Sequence, residues 1–310
     1  MKVVVLGAFG RAPEVAELEV PTPGAGEVRV RVRAASINGF DVAVVNGYLN
    51  GVMEHRFPVV LGKDFAGTID AVGEGVEEYT VGDRVFGVVV KDFLGDGSFG
   101  EYVTVPASVG IAKLPDEIAF TEAAALGVAG SAAVDSFDAA GIGAGTTVLI
   151  SGATGGVGQQ TLQLAAKAGA VVIATAHTAE EIEKVVGLGA GHTVDHTGDV
   201  IAQLGELYPD GVDVVLHLAG DPAALASVVK AGGVLVSTLV QDPGQVSADG
   251  IRVVPIYAQA STATLERLAR SHAEQHTTVT VQRVYDLDET PDALGHFAAG
   301  TLGKLVVSID

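Results

Sequence analysis

Three glycines at three-residue spacing, Gly152, Gly155 and Gly158, lie with Gly156 in the stretch TTVLISGATGGVGQQTLQLAAKAGAVVIATA. An apolar strand-like run precedes them. A helix-like run and a second apolar run follow. A missing Cβ lets a bulky anion approach the backbone, and a helix N-terminus offers N–H donors and the positive end of a dipole. In a strand–loop–helix–strand setting this predicts a dinucleotide pyrophosphate on Gly152, Thr154, Gly155, Gly156, Val157 and Gly158. A ligand-free tight turn is the competing reading, and the surrounding pattern disfavours it. The tip of the second strand reads Ala176, His177, Thr178, with no carboxylate to hold ribose hydroxyls. NADPH is therefore the expected cofactor, with His177 and Thr178 as donors to its 2′-phosphate. His177 equally suits a plain surface turn. Glu180 and Glu181 open the next helix, no Arg is near, and Lys184 is the nearest cation.

A second stretch, LGKDFAG, sets Lys63 between Gly62 and Asp64. A protonated Lys has no lone pair for a metal. The chain has no Cys, which excludes disulfides, Cys-ligated zinc and thiol nucleophiles. No two of His192, His196, His272, His276 and His296 have a defensible metal-ligand spacing. No metal is expected.

The elements that must position these residues fall into two textures. Residues 1 to about 115 read as short strands punctuated by Gly, Pro and Asp, as in an irregular antiparallel barrel. From TEAAALGVAGSAAVDSFDAAGI onward, helices alternate with six apolar runs: TTVLIS, AVVIATA, HTVDH, VDVVLHLAG, GGVLVSTLV and IRVVPIYAQ. Continuous Val/Ile/Leu runs suit parallel strands buried on both faces, and the alternation predicts a doubly wound α/β sheet. EEIEKVVGLGA and DPAALASVVKAGG read as helices between strands. The tail reads strand, helix, strand, and by pattern fits either domain. The domains are drawn as 1–120 with 271–310, and 121–270.

The chain's 310 residues are 48% hydrophobic, enough for two cores. A net charge of −20 argues against nucleic acid or an anionic membrane as partner. The start, MKVVVLGAFG, reads as a strand rather than a signal peptide, and no apolar run is long enough to span a bilayer. A cytoplasmic enzyme acting on a small molecule is expected.

In order along the chain, PTPGAGEVRVRVRAASINGFDVAVVNGYL, FPVVLGKDFAGTIDAVGEGVEEYTVGDRVFG, GSFGEYVTVP, LPDEIAFTEAAAL, SGATGGVGQQTLQLAAKAGA and GKLVV resemble the medium-chain dehydrogenase/reductase superfamily. Within it the chain resembles the zinc-free quinone oxidoreductase, or zeta-crystallin-like, branch. The resemblance implies a GroES-like β-barrel catalytic domain, a Rossmann cofactor domain and a cleft between them. Zinc-dependent relatives carry GHE where this chain has GKD, so their ligand His corresponds to Lys63. Their first ligand Cys falls near INGFD, and the Cys-rich structural-zinc loop is missing.

The resemblance implies NADPH-dependent hydride transfer to a quinone or enone acceptor. A biosynthetic enoyl or alkenal reductase and a non-catalytic NADPH-binding protein are the alternatives. It makes Asn38, Tyr48 and Lys63 the candidate catalytic residues. Asn38 would face nicotinamide or substrate. Tyr48 is either a substrate donor or a core aromatic. Lys63 either lines the site or pairs with Asp64. Asp41 is read as a helix N-cap. Ser131 would lie beside the nicotinamide and Leu239 would touch the cofactor through its backbone. The branch's phosphate-binding Lys and Tyr correspond to Glu181 and His196, which points to relaxed cofactor choice. His217 reads as a satisfied core or cleft residue. A homodimer through the edge strand GIRVVPIYAQ is expected.

Overall fold

The computed structural model describes residues 1–247 and 249–310. The chain divides into two compact units, Met1–Ser131 with Ala260–Asp310, and Ala132–Gln259. The sequence boundaries fall at 120/121 and 270/271. The helix Thr262–Ala273 packs through Leu265 and Ala269 into a cluster with Ala66, Phe86 and Leu126, inside the first unit.

The first unit is built around the ten-residue strand Glu27–Ser36. Its Val28, Val30 and Val32 are buried, while Arg29, Arg31 and Arg33 alternate outward, the period-2 pattern of a half-buried strand. It pairs antiparallel with Asp64–Val72, Tyr102–Pro106 and Lys304–Ser308. The strand Val281–Asp286 pairs with Lys304–Ser308. The tail, ambiguous by pattern, thus completes this unit. In the register, Ser36 faces Asp64 on one side and Val306 on the other.

The second unit is a six-stranded parallel sheet. Its spatial order is His192–Val194, Val171–Thr175, Thr147–Ser151, Val212–His217, Val229–Ser237, Arg252–Pro255. In sequence order this is 3-2-1-4-5-6, the Rossmann arrangement, whose topological switch point lies between the first and fourth strands. All six apolar runs become strands. Alternate residues serve opposite faces: Val148 and Ile150 join one core cluster, and Leu149 joins the other. Two buried faces explain why the runs are apolar without alternation.

Two expected helices are shorter than their patterns. The stretch 221–233 is helical only over Pro222–Ala226, and Val229–Ser237 is strand. β-Branched Val228 and Val229 disfavour continuation, and Val229 pairs with Val212 across the sheet. The Ala-rich stretch after Leu114 breaks into Phe120–Ala124 and Gly127–Ala140. The break serves a buried carboxylate, described next.

Candidate active site

In the first unit, the strand register brings distant polar residues onto one carboxylate. Asp64, fully buried, accepts from Ser36 Oγ at 2.6 Å, Asn38 Nδ2 at 2.8 Å and the Val128 N–H at 2.7 Å. The last bond explains the helix break. A Cβ on Gly127 would lie 2.4 Å from Asp64 Oδ1, so only Gly lets the helix start approach so closely. Buried Lys304 completes the group. Its Nζ lies 3.5 Å from Asp64 Oδ2 and donates to Asn38 Oδ1 at 2.6 Å and to the Ile37 carbonyl at 2.8 Å. Burial lowers the Lys304 ammonium, against the pull of Asp64 and Asp41. Charges held this far from water persist because each has a partner.

Asn38 is therefore committed to the protein. Its amide donates to Asp64 and the Ser36 carbonyl, and its oxygen accepts from Lys304. The geometry makes it a spacer between charges. The N-cap is Asn38 rather than Asp41 as read from the sequence: Asp41 lies at the third helical position and reaches back to accept from the Asn38 N–H at 2.8 Å, because a carboxylate there can serve the free N–H of the cap residue. Burial pushes its carboxyl up to about 7, with Asp64 adding repulsion and the Asn38 N–H, Lys304 and Lys63 opposing.

Lys63 does not take the partner its neighbour offers, because Asp64 is filled by Lys304 and Asn38. Its ammonium lies 5.1 Å from the Phe40 ring centroid. Burial lowers its pKa, while Asp41 and Asp64 act to raise it. A small pocket is lined by Phe40, Asp41, Lys63, Leu94 and Asp96, among others. The preceding Gly62 turns with φ +97°, and a Cβ there would run into Ser98 Oγ and Phe99, so the position needs glycine. Tyr48 is 74% exposed, so it is not the core aromatic that one reading allows. Ser131 is buried, and its Oγ has no hydrogen-bond partner among the described residues.

In the second unit, the glycine loop follows the strand Thr147–Ser151 at the switch point. Gly152 has φ +87° and donates its N–H to Thr175 Oγ1 at 2.9 Å. A Cβ on Gly158 would meet the Gly152 carbonyl at 2.2 Å, so this glycine packs helix against strand. Gly155 differs. It is the N-cap of the helix Gly156–Lys167, and a Cβ there would meet only the Gly152 carbonyl at 3.7 Å. The protein itself does not require glycine at 155, whereas an anion on the helix start would. Thr154, Gly156 and Val157 are half-buried around it. Gln159 holds the Thr154 carbonyl at 2.7 Å and leaves its own Oε1 buried without a partner among the described residues. This cradle fits a dinucleotide pyrophosphate. Beside it, His217 is buried and satisfied by Ser237 Oγ at 2.8 Å and the Gly220 carbonyl at 3.0 Å. The Leu239 N–H donates to Ser237 Oγ, and its side chain is exposed.

The tip of the strand Val171–Thr175 departs from expectation. His177 Nδ1 is 3.0 Å from Asp195 Oδ2, and Thr178 Oγ1 caps the next helix by accepting from the Glu181 N–H. Both expected phosphate donors are thus engaged within the protein. Glu181 turns back and accepts from the His177 and Thr178 N–H groups. Sequence reasoning left Ser36, Lys304 and Asp195 unassigned. Lys304 had a signal, since a Lys opening the apolar run GKLVV needs a buried partner, but that partner is 240 residues away.

Residues 24–116 match the alcohol dehydrogenase GroES-like domain family, and residues 156–247 match the zinc-binding dehydrogenase family. The quinone oxidoreductase from Coxiella burnetii superposes with a TM-score of 0.90 at 26% identity, covering 100% of this chain and 99% of that one. A mycobacterial protein solved with NADPH superposes at 0.88 and 25% identity, with 100% of both chains covered. A mycocerosic acid synthase-like polyketide synthase of Mycolicibacterium smegmatis is 37% identical over 218 residues, 69% of this chain. That match spans 10% of the synthase's length. The chain belongs to the medium-chain dehydrogenase/reductase superfamily. A quinone oxidoreductase is among its structural neighbours. No helix among the described residues is long and apolar enough to cross a membrane.

Proposed function

We propose that this chain is a nicotinamide-dinucleotide-dependent reductase of the zinc-free quinone oxidoreductase branch, acting on a quinone or on a C=C bond conjugated to a carbonyl. One observation carries this reading: the open Gly155 cradle on a helix start at the switch point, in a chain without a thiolate to hold catalytic zinc. Bound dinucleotide supplies the hydride. The chain's part is to orient an acceptor that is already electron-poor, which needs no Lewis acid. Lys63 places its Nζ beside a pocket, and its N–H donors suit stabilising a developing enolate or quinol oxygen. Asn38 holds Lys304 and Asp64 in register behind it. Tyr48 is an exposed hydroxyl available only to a substrate that covers it.

A reduced nicotinamide dinucleotide is the cofactor, and a structural neighbour solved with NADPH supports this. A biosynthetic enoyl reductase is the second reading, favoured by the identity to the polyketide synthase. A homodimer is also proposed. Arg252–Pro255 is an edge strand, with Val253 and Val254 half-buried. Light scattering at micromolar concentration should give twice the chain mass, and a monomer would refute the dimer.

The function is tested with reduced dinucleotide and 1,4-benzoquinone or 2-cyclohexenone, following loss of dihydronicotinamide absorbance. Turnover is expected with at least one acceptor. Binding without turnover on either would favour a sensing or structural role. Gly155→Val should lose dinucleotide binding, while a thermal melt checks that it folds, as expected where an added Cβ meets only the Gly152 carbonyl at 3.7 Å. Unchanged affinity in that variant would remove the cradle from the site.

A further inference from the structure

In a Rossmann sheet, the residues after the second strand meet the adenosine ribose, and a carboxylate there accepts from the free 2′-hydroxyl. In this chain the carboxylate comes from the helix rather than the strand tip. Glu181, in the first turn of Ala179–Gly187, reaches back over that turn. Its Oε2 accepts from the His177 N–H at 2.6 Å and the Thr178 N–H at 3.1 Å. These N–H groups are the donors that a 2′-phosphate would seek, and a fixed negative charge covers them. Glu181 is held well on the ionised side. Partial burial acts to raise its carboxyl, but the two N–H groups and His196, 3.6 Å away, outweigh it.

Asp195 adds a second anion. Bonds from the Thr197 N–H and hydroxyl, and His177 beside it, push its carboxyl down to about 2. Both imidazoles at the tip are thereby set against carboxylates, His177 on Asp195 and His196 on Glu181. No Lys or Arg makes an ion pair with either carboxylate among the described residues. A doubly charged phosphate would enter two ionised carboxylates and displace a cap. A ribose hydroxyl would find acceptors.

We propose that Glu181 sets cofactor choice and that this chain takes NADH at least as readily as NADPH. The inference rests on the dinucleotide reading of the glycine loop. It is tested by equilibrium titration of NADH and NADPH, following ligand fluorescence, on the wild type, Glu181→Gln and Glu181→Lys. Circular dichroism and thermal melts confirm that the variants fold. Glu181→Gln keeps an acceptor for the two N–H groups, so it separates charge from capping. The wild type should bind NADH as tightly as NADPH or more so. Glu181→Lys should shift the affinity ratio toward NADPH by roughly tenfold, the scale of reversing one partly exposed charge beside a phosphate. Glu181→Gln should shift it less, in the same direction. A wild-type preference for NADPH beyond twofold, or a ratio unchanged in both variants, overturns the proposal and leaves the dinucleotide reading intact. Binding of neither dinucleotide overturns both.

Discussion

The molecule holds two groups of paired charges in opposite surroundings. In the first unit, Asp64, Lys304, Asn38 and Asp41 are all buried, and almost every polar atom has one assigned partner. In the second unit, Glu181, Asp195, His177 and His196 pair at a strand tip open to water. Chemistry of the same kind therefore serves different ends. A buried charge without its partner carries the full cost of desolvation, so the first group fixes structure. An exposed pair is screened and contributes little to stability, so the second group is free to discriminate between ligands.

The contrast is broken most severely at Asp64. Asp64→Asn should cost roughly 3–5 kcal/mol, because it leaves Lys304 charged and buried without its counter-ion. Urea denaturation measures this, and a loss below about 1 kcal/mol would place the group among ordinary surface pairs. Lys304→Met should fail to the same degree for the converse reason. Together, Asp64→Asn/Lys304→Met should cost less than the sum of the single changes, since no lone charge remains.

Next in size is the pH dependence set by Asp41. Its folded pKa, about 7, lies above the unfolded 3.8, so the folded state binds the extra proton. The stability it contributes is fully present below the unfolded value and is lost as pH rises through 7. Asp41→Asn removes this term while keeping an acceptor for the Asn38 N–H. The wild type should therefore lose roughly 2–4 kcal/mol relative to Asp41→Asn between pH 4 and pH 8. Parallel stability curves for the two proteins would show that Asp41 is ionised throughout.

Asp195 gives the smallest effect and the opposite sign. Its folded pKa, about 2, lies below the unfolded 3.8. Its contribution is present above 3.8 and disappears as pH falls through 2. Asp195→Asn should lower the melting temperature slightly at pH 7 and low salt, and not at all at high salt. A loss as large as that of Asp64→Asn would erase the distinction between the two groups.

Much of this protein was legible before any coordinates. Gly152, Gly155, Gly156 and Gly158, set between apolar runs, specified the loop, because backbone geometry at a glycine is a local matter. Six parallel strands followed from runs of Val, Ile and Leu, since burial on both faces writes itself into every residue of a strand. The lack of Cys settled which metal chemistries were closed. That Asp41 serves the start of its helix was local too, although it does so from the third helical position, with Asn38 as the N-cap.

Other assignments depended on tertiary structure. LGKD does not reveal whether Lys63 or Lys304 answers Asp64. An antiparallel register carries Lys304 to the acid from the far end of the sequence. Asn38 looked like a ligand-facing amide until both ends of its side chain were seen to be occupied. The strand tip AHT carries no acid, yet the helix returns Glu181 to cover it. In each case the deciding partner is set by packing between elements. Local sequence says which groups need partners, and only the fold says which partner arrives.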